Sequence, residues 1–192
     1  MMTRKSLRRL GFLALTATMA ATRFGHCGGT SAPPDASWAV FFIAGFYLAT
    51  DWQWALPVLL LEAVAIDFTA IHYYGVSDYC VTLAYAFIVP AYSLLWLAGA
   101  WAGRRCQGTP GDLRRLVVSL VLAVTACFLL TEGSFYWLGS RVTHPSVAGW
   151  WSNFTAWYGY FMLVTAGYVG LVTLGHLAVT RRAAARVRPQ TP

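Results

Sequence analysis

The chain has 192 residues, 58% of them hydrophobic and only 11% charged. Soluble domains carry about 25% charged residues, so this composition excludes an ordinary water-soluble globular protein and reads as an integral membrane protein. The net charge of +7, from 14 Lys and Arg against 7 Asp and Glu, sits between apolar runs, where it orients a chain in the bilayer; nucleic-acid binding is not expected.

Six apolar segments follow in chain order, at about 7–24, 37–50, 52–72, 79–102, 113–138 and 152–179. They predict an all-α membrane protein, a single six-helix transmembrane domain over residues 1–192. A membrane helix needs about 20 residues. The second segment is short and the last three are ample, so tilt is expected. The first, "SLRRLGFLALTATMAA", also has the character of a secretory leader with Ala20-Ala21 as its cleavage region; we read it as a retained helix. A break is expected at Thr50-Asp51, because Asp51 suits an N-cap and Pro57 suits the start of a helix. One long helix from Trp38 to Ile66 is the alternative.

Charge parity favours six crossings. Arg4, Lys5, Arg8 and Arg9 precede the first segment. Arg104, Arg105, Arg114 and Arg115 lie between the fourth and fifth, and Arg181, Arg182, Arg186 and Arg188 follow the sixth. Six crossings put all three groups on one side and leave Arg23 and Arg141 opposite. Five would place the middle group on the wrong side. The positive-inside rule then puts both termini in the cytoplasm. No 20–50-residue repeat and no nucleotide-binding loop is present.

This topology gathers polar residues on the outer face. Loops at about 25–36, 73–78 and 139–151 carry His26, Cys27, Asp35, Asp78, Arg141 and His144, with His72, Cys80, Trp150 and Trp151 at the adjoining helix ends. Cys106 falls on the cytoplasmic side, and Cys127 reads as a packing residue inside the fifth segment. Two acids, Glu62 and Asp67, lie within the third segment, where ionisable groups are costly and mark function by default. Glu62 reads as a proton or ion site, or as a partner of a Thr or Tyr. Asp67 is five residues below His72, about 7.5 Å at 1.5 Å per residue. Tyr85 is five residues below Cys80, at the same depth. The two are expected to hydrogen-bond or to face one ligand. Tyr73, Tyr74, Tyr79, Trp137, Trp150 and Trp151 crowd the same end, as an interfacial aromatic belt or as an apolar wall for a large flat ligand.

"Ser77-Asp78-Tyr79-Cys80" reads as a helix start capped by Ser77 or Asp78, with Cys80 in the first turn. Free backbone N–H groups and the positive helix end stabilise an anion there, which favours thiolate, both a nucleophile and a soft metal ligand. A disulfide with Cys27, an inert interfacial cysteine and a ligating or reactive thiol all remain open.

The whole chain resembles the BtuM family of solitary vitamin B12 transporters, relatives of the substrate-binding S components of energy-coupling-factor transporters. The resemblance rests on "SDYCVTLAYAF", on Asp67 preceded by "LLLEAVAI", on the outer stretch "TEGSFYWLGSRVTHPSVAGWW", and on small size with six helices. It implies an S-component-like bundle in the bacterial inner membrane that binds cobalamin from the periplasm. Cys80 would be an axial ligand of the corrin cobalt in the base-off form and would promote loss of cyanide from cyanocobalamin. Asp67 and Tyr85 would brace the pocket floor, with His26, His72, Tyr73, Tyr74 and Arg141 around its rim. An energy-coupling transmembrane subunit with its ATPases is a further implied partner, through a small-residue face at Ala14, Ala17 and Ala21. Two other readings stand beside it. One is a transition-metal ion transporter using His26, Cys27, His72, Cys80 and His144. The other is a membrane thiol oxidoreductase using Cys27 and Cys80.

Overall fold

A computed structural model describes residues 3–24, 33–106, 109 and 111–187. Among these residues the chain is helical and holds no strand. Six α-helices run α1 (Arg4–Arg23), α2 (Ser37–Leu48), α3 (Trp52–Tyr74), α4 (Ile88–Arg105), α5 (Gly111–Leu138) and α6 (Val147–Val187). Short 3₁₀ turns at Ala49–Asp51 and Leu83–Phe87 precede α3 and α4. Among the described residues four helical stretches are long and apolar enough to cross a membrane: Ser37–Tyr74, Leu83–Arg105, Gly111–Leu138 and Val147–Arg182.

Contacts fix the direction of each helix. Arg8 of α1 meets Asp51 at 3.0 Å, and Phe12 packs edge-on against Trp54. At its far end Arg23 meets both Ser37 and Asp67. α2 therefore runs back along α1, and α3 returns parallel to α1. The chain does reverse at Thr50-Asp51, but not through the expected cap: Asp51 makes no capping hydrogen bond and pairs with Arg8 instead. α4 runs parallel to α2, with Phe41 on Tyr92 and Gly45 against Trp96. α5 and α6 complete the alternation. Thr125 hydrogen-bonds Tyr158, and Tyr47 near the end of α2 meets His176 near the end of α6. One end of the bundle thus carries Arg8, Arg104, Arg105, Arg114, Arg115, Arg181 and Arg182. The other carries Tyr74, Cys80 and Leu138.

α2 is the axis of the molecule. Ser37 through Gly45 are all buried, which a run of Trp, Val, Phe and Ile tolerates on every side. Its contact with α4 is backbone to backbone. A Cβ on Gly45 would overlap the Trp96 carbonyl, one on Gly99 the Phe42 carbonyl, and one on Gly103 the Phe46 carbonyl. Glycine at these three points lets the axes approach closely, the usual device where lipid gives helices no hydrophobic reason to associate. At twelve residues α2 is about 18 Å long, too short for a hydrocarbon core of about 30 Å.

Several boundaries depart from those read in the sequence. α1 begins at Arg4, and α6 extends from Val147 to Val187 rather than over 152–179. Trp150 and Trp151 therefore belong to its first turn. The fourth helix does not start at Tyr79. Its 3₁₀ lead-in begins at Leu83, where the Thr82 hydroxyl accepts from the Ala84 N–H. Thr82, not Ser77 or Asp78, is the cap, so Cys80 is not in the first turn of a helix.

Candidate functional site

The Cys80 end is built around an arginine that the topology argument had counted only as one of two cations opposite the majority face. Arg23 is the last residue of α1, and its side chain is fully buried. Its guanidinium donates to Asp67 Oδ2 at 2.7 Å, to Ser37 Oγ and Tyr92 Oη at 2.9 Å each, and to the Ala63 carbonyl at 3.3 Å. A longer contact of 3.4 Å reaches Asp35. Asp35 also holds the start of α2, accepting from the Ser37 N–H and hydroxyl. Tyr85 donates to the same Asp67 oxygen at 2.7 Å. The expected Asp67–Tyr85 pairing is therefore present, with Arg23 as its third member. One guanidinium ties α1, α2, α3 and α4 together, and its fork geometry satisfies five acceptors at once.

Beside this cluster opens a cleft of about 320 Å³, walled by Asp67, Phe68, His72, Asp78, Val81 and Tyr85 among others. Its lip is the connection between α3 and α4. Gly75 ends α3 in the left-handed conformation at φ 66°, which a side chain would resist. The Ser77 hydroxyl then accepts from the Tyr79 N–H, and the Val81 N–H closes a turn on the Asp78 carbonyl. Cys80 is half-buried inside that turn, whose two ends, Asp78 and Val81, both line the cleft. Arg141, from the α5–α6 connection, reaches the Asp78 carbonyl at 3.5 Å and lies over the Tyr79 ring at 5.2 Å. Tyr79 in turn packs on Phe135. Arg141 thus pins the turn that presents Cys80.

The residues singled out in the sequence are distributed accordingly. Asp67, His72 and Tyr85 meet in the cleft, and His72 is oriented by the Phe68 carbonyl and ring. Cys80 lies in its lip rather than its wall. Tyr73 and Tyr74 are exposed, Tyr74 edge-on to Phe24 of α1. His26 and Cys27 fall outside the described residues, so the proposed Cys27–Cys80 pairing and the His26 rim position do too. Among the described residues no group of three His, Cys, Asp or Glu is placed to hold a metal ion. Cys127 is buried, as expected of a packing residue. Glu62 lies outside the Arg23 cluster, and its Oε2 is buried without a hydrogen-bond partner. The crowded aromatics divide in two. Trp151, Phe154 and Tyr158 stack along α6, with Phe154 and Tyr158 against Phe128 of α5, whereas Tyr73, Tyr79 and Trp137 face outward.

Sequence reasoning missed Arg23 and Tyr92. The available signal was charge inventory: Arg23 and Arg141 are the two cations off the majority face, and a buried acid in a membrane span needs a cation at its own depth. The chain matches no protein-family model and no curated protein.

Proposed function

We propose that this is a cobalamin uptake protein of the bacterial inner membrane, with Cys80 as the axial thiolate ligand of the corrin cobalt. In this reading the chain crosses the bilayer six times, the arginine-rich end faces the cytoplasm and the Cys80 end faces the periplasm. The observation that carries it is the Asp78–Val81 turn: Cys80 stands in the lip of the cleft floored by Asp67 and Tyr85. A cleft of about 320 Å³ is at the small end for drug-sized ligands. It takes a side arm of the corrin, while the ring lies over the lip against Tyr73, Tyr79 and Trp137.

The chemistry is ligand substitution. The Cys80 thiolate donates an electron pair to cobalt on the face vacated by dimethylbenzimidazole. In cyanocobalamin this donation weakens the opposite bond, and cyanide leaves with its own electron pair, without change in the oxidation state of cobalt. Arg23 pairs with Asp67, and Asp67 with Tyr85 supplies the polar floor. The exposed alanines of α1, Ala14, Ala17 and Ala21, leave a face on which a coupling subunit docks.

The test is spectroscopic. Cobalamin added to the purified protein should give an altered corrin spectrum that Cys80→Ala abolishes and Tyr73→Phe leaves intact. A wild-type spectrum indistinguishable from free cobalamin would sink the ligation. Uptake of cobalamin into liposomes holding this chain alone would show whether it needs a coupling partner.

A further inference from the structure

An opening larger than the Cys80-end cleft lies at the opposite end, and nothing about cobalamin explains it. A groove of about 640 Å³ runs between α2, Cys106 and Thr109 after α4, the start of α5 and residues 169–177 of α6. Its walls are apolar: Phe42, Ile43 and Phe46 from α2, Leu116 from α5, Val169 and Val172 from α6. Its outer lip is open, with Leu113 60%, Leu177 41% and Val172 37% exposed. On its exposed side, Tyr47 shares a hydrogen bond with His176 Nδ1 at 3.1 Å.

The polar mouth of this groove is cationic. The carboxylate that lines it, Asp112, accepts from the Thr109 N–H and hydroxyl and pairs with Arg115 at 2.8 Å. Its charge is therefore already balanced. In the chain, Arg104 and Arg105 lie between the lining residues Gly103 and Cys106 at the end of α4, Arg114 follows the lining residue Leu113 at the start of α5, and Arg181 and Arg182 lie one to two turns beyond His176 on α6. All are exposed. An apolar groove with exposed arginines beside its polar end matches an amphiphile with a negative head. Basic pockets between membrane helices on the cytoplasmic side bind anionic headgroups in this way.

We infer that this groove is a binding site for one anionic phospholipid. One acyl chain lies between α2, α5 and α6, and the phosphate rests among the arginines of the α4, α5 and α6 ends. The lipid replaces protein packing that α6 lacks, since only 11% of its apolar span is buried within the chain, against 33–39% for the other three stretches. The inference rests on the membrane character of the chain and is independent of what the Cys80 end binds.

Native mass spectrometry of the detergent-purified protein, with phosphatidylglycerol and phosphatidylcholine of identical acyl chains in competition, reads the site directly. We expect a single dominant phosphatidylglycerol adduct. Val172→Trp fills the groove and should remove the adduct. Leu177→Trp, on the open lip where packing is not disturbed, should do the same and serves if the first variant folds poorly. Arg105→Gln with Arg114→Gln should retain a lipid but lower the preference for phosphatidylglycerol about fivefold per arginine. Equal binding of the two lipids by the wild type would overturn the proposal. So would a phosphatidylglycerol preference unchanged by the folded groove variants, since that places the headgroup on arginines elsewhere.

Discussion

Arg23 shows how much one residue can organise. Removing a single member of a buried ion pair leaves an uncompensated charge, which costs about 3–5 kcal/mol, whereas replacing both members with apolar groups is often close to neutral. Arg23→Leu should therefore lower the thermal unfolding midpoint in detergent strongly. Arg23→Leu combined with Asp67→Leu should recover a large part of that loss, a coupling that a double-mutant cycle measures directly. Additive losses would mean that the two residues act separately. The Asp67–Tyr85 half of this cluster was legible in the sequence, because equal depth on neighbouring helices follows from helical rise alone. Arg23 was not, because parity counting weighs a cation only by the side of the membrane it falls on and not by what its side chain meets. Its side chain instead folds back beneath the helix end, where Asp67 needs it. Cys80 was placed on the correct connection but in the wrong local geometry. Ser77 does accept a backbone N–H, yet it closes an isolated turn, and the helix waits for Thr82.

At the scale of elements, the α2–α4 contact depends on three missing methyl groups. Gly99→Leu would drive its Cβ into the Phe42 carbonyl, and overpacking of a fixed site typically costs about 1–3 kcal/mol even when side chains can yield. Backbone cannot yield in the same way, so we expect Gly99→Leu to prevent a monodisperse peak in size-exclusion chromatography. Gly159→Ala on α6 has open space around it and should be neutral or slightly stabilising, because alanine is the better helix former. Equal behaviour of the two variants would refute close packing at α2–α4. The sequence showed all six helices and the Thr50-Asp51 reversal, since hydropathy and punctuation are local signals. It did not show which glycines sit at a crossing, because a close approach is a property of two elements and leaves no mark on either one alone.

For the molecule as a whole, the contacts place Cys80 and Cys106 at opposite ends of the bundle. In intact cells, single-cysteine variants retaining only Cys80 or only Cys106 should differ in labelling by a membrane-impermeant maleimide. On the proposed orientation Cys80 should react from outside, and Cys106 only after the membrane is opened. Labelling of both from the same side would exclude the antiparallel alternation. That alternation has a consequence for how the protein is made. α2 is enclosed by α1, α3, α4 and α6, yet it leaves the ribosome before three of them exist. On the proposed six-crossing topology α2, too short to hold itself across the bilayer, enters as one arm of a hairpin with α3 and then waits in lipid, its three phenylalanines and Ile43 solvated by acyl chains. Lipid is as apolar as the protein interior, so the wait costs little. α4 later displaces those chains through its glycines, and the innermost helix of the finished molecule is among the last to be covered.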